Sequence, residues 1–407
     1  MKTYKWIMLA LLSCAFFFHQ ADRVLFGLLT IPIQEDLHLT DLQIGVVNTS
    51  LFCTLAVTTP LAGFLGDRVS RKWIITASLL FWSLMTACTG FVGGLCGLVF
   101  FRSIATGGGE SFYAPSAFAL IAAHHKDTRS IALSIHQSAL YVGILVSSVL
   151  AGYLGGASSS GWRISFWIFG GVAIVWLFIL AAFLRNTPAL KVHDEEVKPR
   201  FADAFKAFAA KPSAWLLTFA FGMLVFGSNC FRTWMPAFMQ KANWGLTPAS
   251  AAFHSVFWFY LGSFIGIAIG ARTSDKLSPR RRGIRLTIMA IGLALSAPTM
   301  AGMVLVPTLW LSCVMMFFFG LGGGFFDCNL YAGLFDVVAP RYRSAAMGLY
   351  LSGAFFIGCP ATAVLGWVGH NYSLQTGMAL FGGTYALGAL AIFAARLFFF
   401  KRDHVED

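Results

Sequence analysis

The sequence predicts an all-α membrane protein of twelve transmembrane helices, arranged as two pseudo-symmetric six-helix bundles. Three observations predict it. The 407-residue chain is 57% hydrophobic and only 11% charged, against about 25% charged residues in a soluble domain, so most of its surface has to face lipid. Its apolar residues gather into twelve runs, each near the roughly 20 residues that carry a helix across a bilayer. The second half of the chain also repeats polar landmarks of the first half in the same order.

The first run, 5–33, resembles a signal peptide at its start, but it continues past Asp22 and Arg23 to Ile33 without a small-residue cleavage site. It therefore reads as a retained span. An acidic loop (Glu35, Asp36, Asp41) leads into the second run, 41–65, and the polar stretch Gly63 to Lys72 separates that run from the third, 73–93. The fourth run, 95–122, carries Arg102 and the sequence G-G-G-E-S-F-Y-A-P from Gly107 to Pro115. The fifth and sixth are 129–155, with His136 and Gln137, and 162–185. The longest polar stretch follows, 186–212, with Pro188, a charged run from His193 to Arg200, and an amphipathic piece around Ala202 to Phe208. It reads as a cytoplasmic linker with a helix along the membrane surface, dividing an N-terminal bundle (1–185) from a C-terminal one (213–407). The remaining runs are 213–238, 249–273, 284–305, 308–337, 343–369 and 374–399.

The cations fix the orientation. Lys2, Lys5, Arg68, Arg71, Lys72, Lys126, Arg129, Lys198, Arg200, Lys211, Lys276, Arg280 to Arg282, Arg341, Arg343, Lys401 and Arg402 all fall at one set of span ends, and the other set holds little beyond Arg163 and Lys241. By the positive-inside rule both termini are expected in the cytoplasm, with the protein in a cell membrane, here a bacterial inner membrane. A net charge of +12 would suggest a nucleic-acid partner in a soluble protein, but membrane orientation accounts for these loop cations, and no nucleic acid is expected. The eight cysteines all lie inside apolar runs without a C-x-x-C pair, so neither disulfides nor a metal is expected.

The halves echo each other. Ala271 to Arg282 repeats the Gly63 loop with Asp275 for Asp67, offset by 208, and Arg232 corresponds to Arg23, offset by 209. The triplet Gly107 to Gly109 precedes Arg129-Ser130 as Gly322 to Gly324 precedes Arg343-Ser344. Three ordered correspondences at nearly constant offset read as an internal duplication of one six-span half.

Ionisable groups at membrane depth are costly and mark function. The candidates are Asp22 and Arg23 in the first span, Arg102 and Glu110 in the fourth, His136 in the fifth, Asn229 and Arg232 in the seventh, and Asp327 and Asn329 in the tenth. Acids and cations together make burial tolerable through mutual neutralisation. They also allow an acid to exchange a proton while an arginine turns to an anionic substrate.

The stretch G-F-L-G-D-R-V-S-R-K from Gly63 to Lys72 resembles the signature loop G-x-x-x-D-R-x-G-R-K of the major facilitator superfamily of transporters. It matches at Gly63, Asp67, Arg68, Arg71 and Lys72, with Ser70 where glycine is usual. These residues and Asp275 are the candidate gating residues. Ala21-Asp22-Arg23, the run Pro32 to Leu37, Asp41 to Gly45, Gly109-Glu110 and Gly161-Trp162-Arg163 further resemble Spinster-like and anion:cation symporter members. That resemblance implies proton coupling by Asp22 and Glu110 and anion contact by Arg23. Members often place an arginine seven residues before the glutamate, whereas Arg102 stands eight before Glu110. In an α-helix that extra residue turns Arg102 by about 80° off the glutamate's face.

No P-loop, HExxH, GxSxG or carboxylate-rich metal cluster occurs, which argues against an enzyme and against ATP drive. The expected function is proton-coupled symport of a small organic anion, such as a sugar acid, by alternating access. A Spinster-like carrier of lysolipid or another amphiphile is the alternative, compatible with 41 phenylalanines. A small-molecule substrate, protons and the bilayer are the expected partners of a monomer without cofactor.

Overall fold

A computed structural model of the protein describes residues 2–66, 69–125, 128–158, 160–185, 201–278, 280–339 and 342–405. Among them every regular element is a helix, as a chain in hydrocarbon requires when each backbone N–H and C=O has to be satisfied within its own segment. Among the described residues eleven helical stretches are long and apolar enough to cross a membrane, and the fourth run, which is broken, is not one of them.

The spans are α1 (Lys2–Leu28), α2 (Asp41–Gly66), α3 (Arg71–Thr89), a broken α4, α5 (Arg129–Ala157) and α6 (Gly161–Phe183), then α7 (Pro212–Lys241), α8 (Pro248–Leu277) and α9 (Ile284–Leu305). The last three are interrupted: α10 runs Leu309–Asp327 and Leu330–Phe335, α11 Arg343–Gly358 and Ala361–Asn371, and α12 from Leu374 to Asp403 with a π-turn at Ala395–Phe399. The short helix Thr30–Leu37 follows α1 and ends at His38, whose φ of 51° is left-handed.

The fourth run forms four pieces where the sequence predicts one helix. These are Leu95–Gly97, a π-helix Leu98–Ala105, Thr106–Glu110 and Tyr113–His124. The Thr106 hydroxyl donates to the carbonyl of Phe101 at 2.7 Å, five residues back, within the widened turn. The G-G-G-E sequence then lets the chain lie against α2 and α3. A Cβ on Gly109 would come within 3.1 Å of the backbone nitrogen of Trp82 on α3. The break follows at Ser111 and Phe112. In α10 the corresponding triplet, Gly322 to Gly324, is likewise followed by a two-residue break, Cys328 and Asn329.

The chain packs as two compact units, Met1–His193 with Arg232–Val256, and Asp194–Phe231 with Phe257–Asp407. In the first, α1 lies along α5 and α3 along α6, around a core that includes Leu12, Phe16, Leu79, Trp82 and Tyr113. At the end of this unit opposite its N-terminus, Arg163 ties three segments together. It donates to Asp36 at 2.8 Å and to the carbonyls of Val92 at 2.6 Å and Gly90 at 3.2 Å. Trp162 also donates to Asp36 and lies under the Arg163 guanidinium.

In the second unit, α9 lies along α10 and α12. Most of the expected linker lies outside the described residues, but its amphipathic piece is the helix Phe201–Ala209, which buries Ala204 and Phe208 four residues apart. Burial of Phe208 contributes about 2 kcal/mol. The C-terminal end is anchored by Asp403, which accepts from the Ser213 backbone N–H at 2.9 Å, while Lys211 donates to its carbonyl.

Candidate functional site

The sequence H-Q-A-D-R puts His19 and Arg23 four residues apart on α1, with Asp22 beside them, so one side of the helix carries ionisable groups toward α3 and α4. Arg23 Nε donates to Glu110 Oε2 at 3.0 Å. Arg102 Nη2 donates to the carbonyls of Asp22 and Arg23, both at 3.1 Å, and its Nη1 lies 3.8 Å from Asp22 Oδ2. The Thr86 hydroxyl on α3 donates to the same Oδ2 at 2.9 Å. Two acids and two guanidiniums thus occupy one cluster, and their formal charges cancel.

The spacing argument placed Arg102 off the face of Glu110, and in the structure its bonds go to Asp22 and the α1 backbone. A π-turn accommodates one more residue than an α-turn. The π-helix at Leu98–Ala105 absorbs the eighth residue and leaves Arg102 pointing at Asp22 and the α1 backbone, with 1% of its side chain exposed.

Exposure separates the four members. Glu110, Arg102 and Asp22 keep no more than 4% of their side chains accessible, whereas Arg23 keeps 27%. Among the described residues Glu110 Oε1, Asp22 Oδ1 and Arg102 Nε meet no hydrogen-bond partner. Such a network is incompletely satisfied, and in low dielectric each missing bond is costly. It holds capacity for a further ligand or proton.

His19, three residues before Asp22 on α1, also belongs to this cluster. The Gln20 amide nitrogen donates to His19 Nδ1 at 2.9 Å, which requires Nδ1 to accept and puts the neutral ring's proton on Nε2. That nitrogen faces the Glu110 carbonyl at 3.3 Å and the Glu110 carboxylate at 3.9 Å. Its distance of three residues from Asp22 and four from Arg23 was the signal available. Thr86 carried none, being one hydroxyl in an apolar span.

Aromatic rings line one side of the cluster. Trp82 meets His19 edge to face at 5.3 Å, and the Tyr113 hydroxyl is spent on the Leu12 carbonyl. His136 is fully buried, stacks on Phe16 at 4.5 Å, and among the described residues neither of its ring nitrogens has a hydrogen-bond partner.

Arg232 is exposed. Asn229 is buried and donates to the Gly358 carbonyl at 3.4 Å. Asn329 is buried at the α10 break, where it accepts from Ser274 at 2.6 Å, and Asp327 is exposed. Of the loop residues, Gly63 lies in the last turn of α2, Arg71 reaches the Ala119 carbonyl at 3.5 Å, Lys72 sits 6.0 Å from the Trp73 ring, and Asp275 is exposed. Asp67 and Arg68 lie outside the described residues. No group of three or more His, Cys, Asp or Glu able to hold a metal occurs among the described residues.

The protein is similar to known transporters. It is 25% identical over 406 residues to the probable sulfoacetate transporter SauU of Cupriavidus necator, covering 95% of this chain and 92% of that one. It is 29% identical over 222 residues to protein spinster homolog 1 of Xenopus tropicalis, covering 52% of this chain and 41% of the other. Its fold matches the crystal structure of a bacterial homolog of the human lysosomal transporter Spinster with a TM-score of 0.90 at 20% identity, over 100% of this chain and 99% of that one. The Major Facilitator Superfamily profile matches residues 11–288. The chain is a multi-pass membrane transporter and not an enzyme, and it belongs to the Major Facilitator Superfamily.

Proposed function

We propose that this transporter carries a small organic anion together with a proton, by alternating access. The observation that carries the reading is the buried Arg23–Glu110 pair, in which the cation is partly accessible and the acid is not. An anion reaching Arg23 competes with Glu110 for its guanidinium, whose planar fork suits a carboxylate or sulfonate. Once Arg23 turns to the substrate, Glu110 is an uncompensated charge in an apolar core, and proton uptake removes that cost. His19, with Nε2–H directed at Glu110, favours the ionised carboxylate until the proton arrives. Asp22 is held by Arg102 and Thr86 and supplies a second acid for the same exchange. The likeness to a probable sulfoacetate transporter supports an anionic substrate.

Glu110→Gln tests this. It should abolish uphill, pH-driven uptake into proteoliposomes while preserving counterflow exchange, which moves no net proton. A Gln variant that still concentrates substrate would overturn the coupling role.

The fold likeness to a Spinster homolog favours a second reading, carriage of a lysolipid or other amphiphile. Phe26 is fully buried, so the partly buried Phe112 is the apolar side chain to compare. For a compact anion, Arg23→Lys, which keeps the charge but loses the fork, should lower initial uptake more than Phe112→Leu at equal expression. The reverse ranking would favour the amphiphile.

Asn229, Arg232, Asp327, Asn329 and His136 complete the proposed substrate contacts, with Gly63, Asp67, Arg68, Arg71, Lys72 and Asp275 as the gating loops. We place both termini in the cytoplasm of a bacterial cell, with a linker at 186–212 between functional halves of a monomer. The cation asymmetry between the two sets of span ends supports that orientation.

A further inference from the structure

The first unit holds a second site, at the end opposite its N-terminus where Arg163 meets Asp36. A cavity of about 720 Å³ opens there, within the usual size of a ligand site, about 300–1,000 Å³. All its lining residues belong to the unit formed by Met1–His193 with Arg232–Val256.

Its floor is apolar. α1 ends at Leu28 and the short helix Thr30–Leu37 follows directly, which brings Leu28, Leu29, Ile31 and Pro32 to the cavity. Ile31, Glu35 and His38 recur at intervals of four and three residues, so they share one side of that helix. That side is apolar at its start and polar at its exposed end.

The facing wall comes from α5 and from the Arg232–Val256 segment. A Cβ on Gly152 would come within 2.5 Å of the Ala249 Cα, and one on Gly156 within 3.1 Å of the Pro248 Cγ. The two stretches therefore meet closely beside the cavity, and Gln240 at the end of α7 adds an amide to its lining.

The charge of the lining is one-sided. It includes two carboxylates and no lysine or arginine. Asp36 is taken up by Arg163 at 2.8 Å and by Trp162 at 3.1 Å. Glu35 is exposed and makes no hydrogen bond or ion pair among the described residues. Lys241, beside Gln240, is exposed and stands outside the lining. An anion is repelled by such a site, and a neutral amphiphile leaves the carboxylate without a partner.

We propose that this cavity binds an organic ammonium ion with an apolar body. The ammonium donates charge-assisted hydrogen bonds to Glu35 and a further one to the Gln240 amide oxygen. The apolar body covers Leu28, Leu29 and Ile31. A ligand that touches both walls favours the state in which they meet, so the bound cation also holds the Arg232–Val256 segment against α5. The proposal does not depend on what Arg23 and Glu110 carry.

The full-length protein in phosphatidylcholine nanodiscs, immobilised for surface plasmon resonance with empty nanodiscs as the reference, tests this with three probes of similar shape. 4-Phenylbutylammonium should bind about fivefold more tightly than neutral 4-phenylbutan-1-ol, the upper scale of an exposed ion pair, and 4-phenylbutanoate should bind more weakly than either. Glu35→Gln should erase the preference for the ammonium and leave binding of the alcohol unchanged, whereas Glu35→Asp should keep most of the preference. Binding of the alcohol reports an intact cavity, so a lost preference in a variant that still binds it does not come from misfolding. Equal affinity for ammonium and alcohol, or a preference that survives Glu35→Gln, would overturn the proposal. Amide hydrogen exchange at residues 240–250 should slow when the ammonium is bound, and exchange unchanged at saturation would overturn the clamping of that segment. Both readouts are independent of transport, so their failure leaves the reading of the Glu110 cluster untouched.

Discussion

Arg102 is the side chain on which the charge cluster is assembled, since it bonds the carbonyls of Asp22 and Arg23 and neutralises the Asp22 carboxylate. Removing one partner of a buried ion pair strands the other, at a cost of about 3–5 kcal/mol. Arg102→Gln is therefore expected to lower thermal stability in detergent markedly, and Asp22→Asn in the same chain to recover much of the loss, because no charge is then left unpaired. Additive destabilisation in the double variant would show that the two side chains do not interact. The identity of these residues was legible in the sequence, because a charge in a hydrocarbon span stands out from its neighbours. Their pairing was not. Which acid met which arginine depended on the facing of α1, α3 and α4, and the participation of His19 depended on a backbone carbonyl that no residue type announces.

The π-turn in α4 carries the next prediction. Its extra residue is accommodated locally, so deleting Ile104, which is 49% exposed, should return the segment to an α-helix with Arg102 seven residues before Glu110 and facing Asp22 as before. That deletion should keep most uptake activity, whereas Arg102→Gln should lose it. A deletion as damaging as Arg102→Gln would show that the π geometry itself is required. Helix number and extent were readable because lipid imposes a length on every apolar run, and the surface helix at Phe201–Ala209 was readable from its amphipathic period. The π-turn was not, since it arises from a one-residue mismatch within an even apolar composition. Its trace was the eight-residue spacing, which reads as a rotation only when the helix is assumed regular.

For the whole molecule, cation placement gives a direct test of topology. A cytoplasm-active reporter fused after Lys126 and a periplasm-active one fused near Ser159 should both give signal, and silence from both in inserted fusions would refute the proposed orientation. The neutrality of the Asp22, Arg23, Arg102 and Glu110 cluster has a further consequence. On the proposed reading the empty carrier returns with these four formal charges balanced, and the loaded one holds a proton and a monoanion that also balance. Both reorientations then carry no net charge at the site. Moving one elementary charge through 100 mV is worth about 2.3 kcal/mol, and this cycle avoids that term. A monovalent substrate would thus be accumulated by the acidity difference alone and would be indifferent to voltage. A divalent one carried with a single proton would drag a negative charge inward against the resting potential, so the cluster's zero sum selects for substrates by valence as well as by shape.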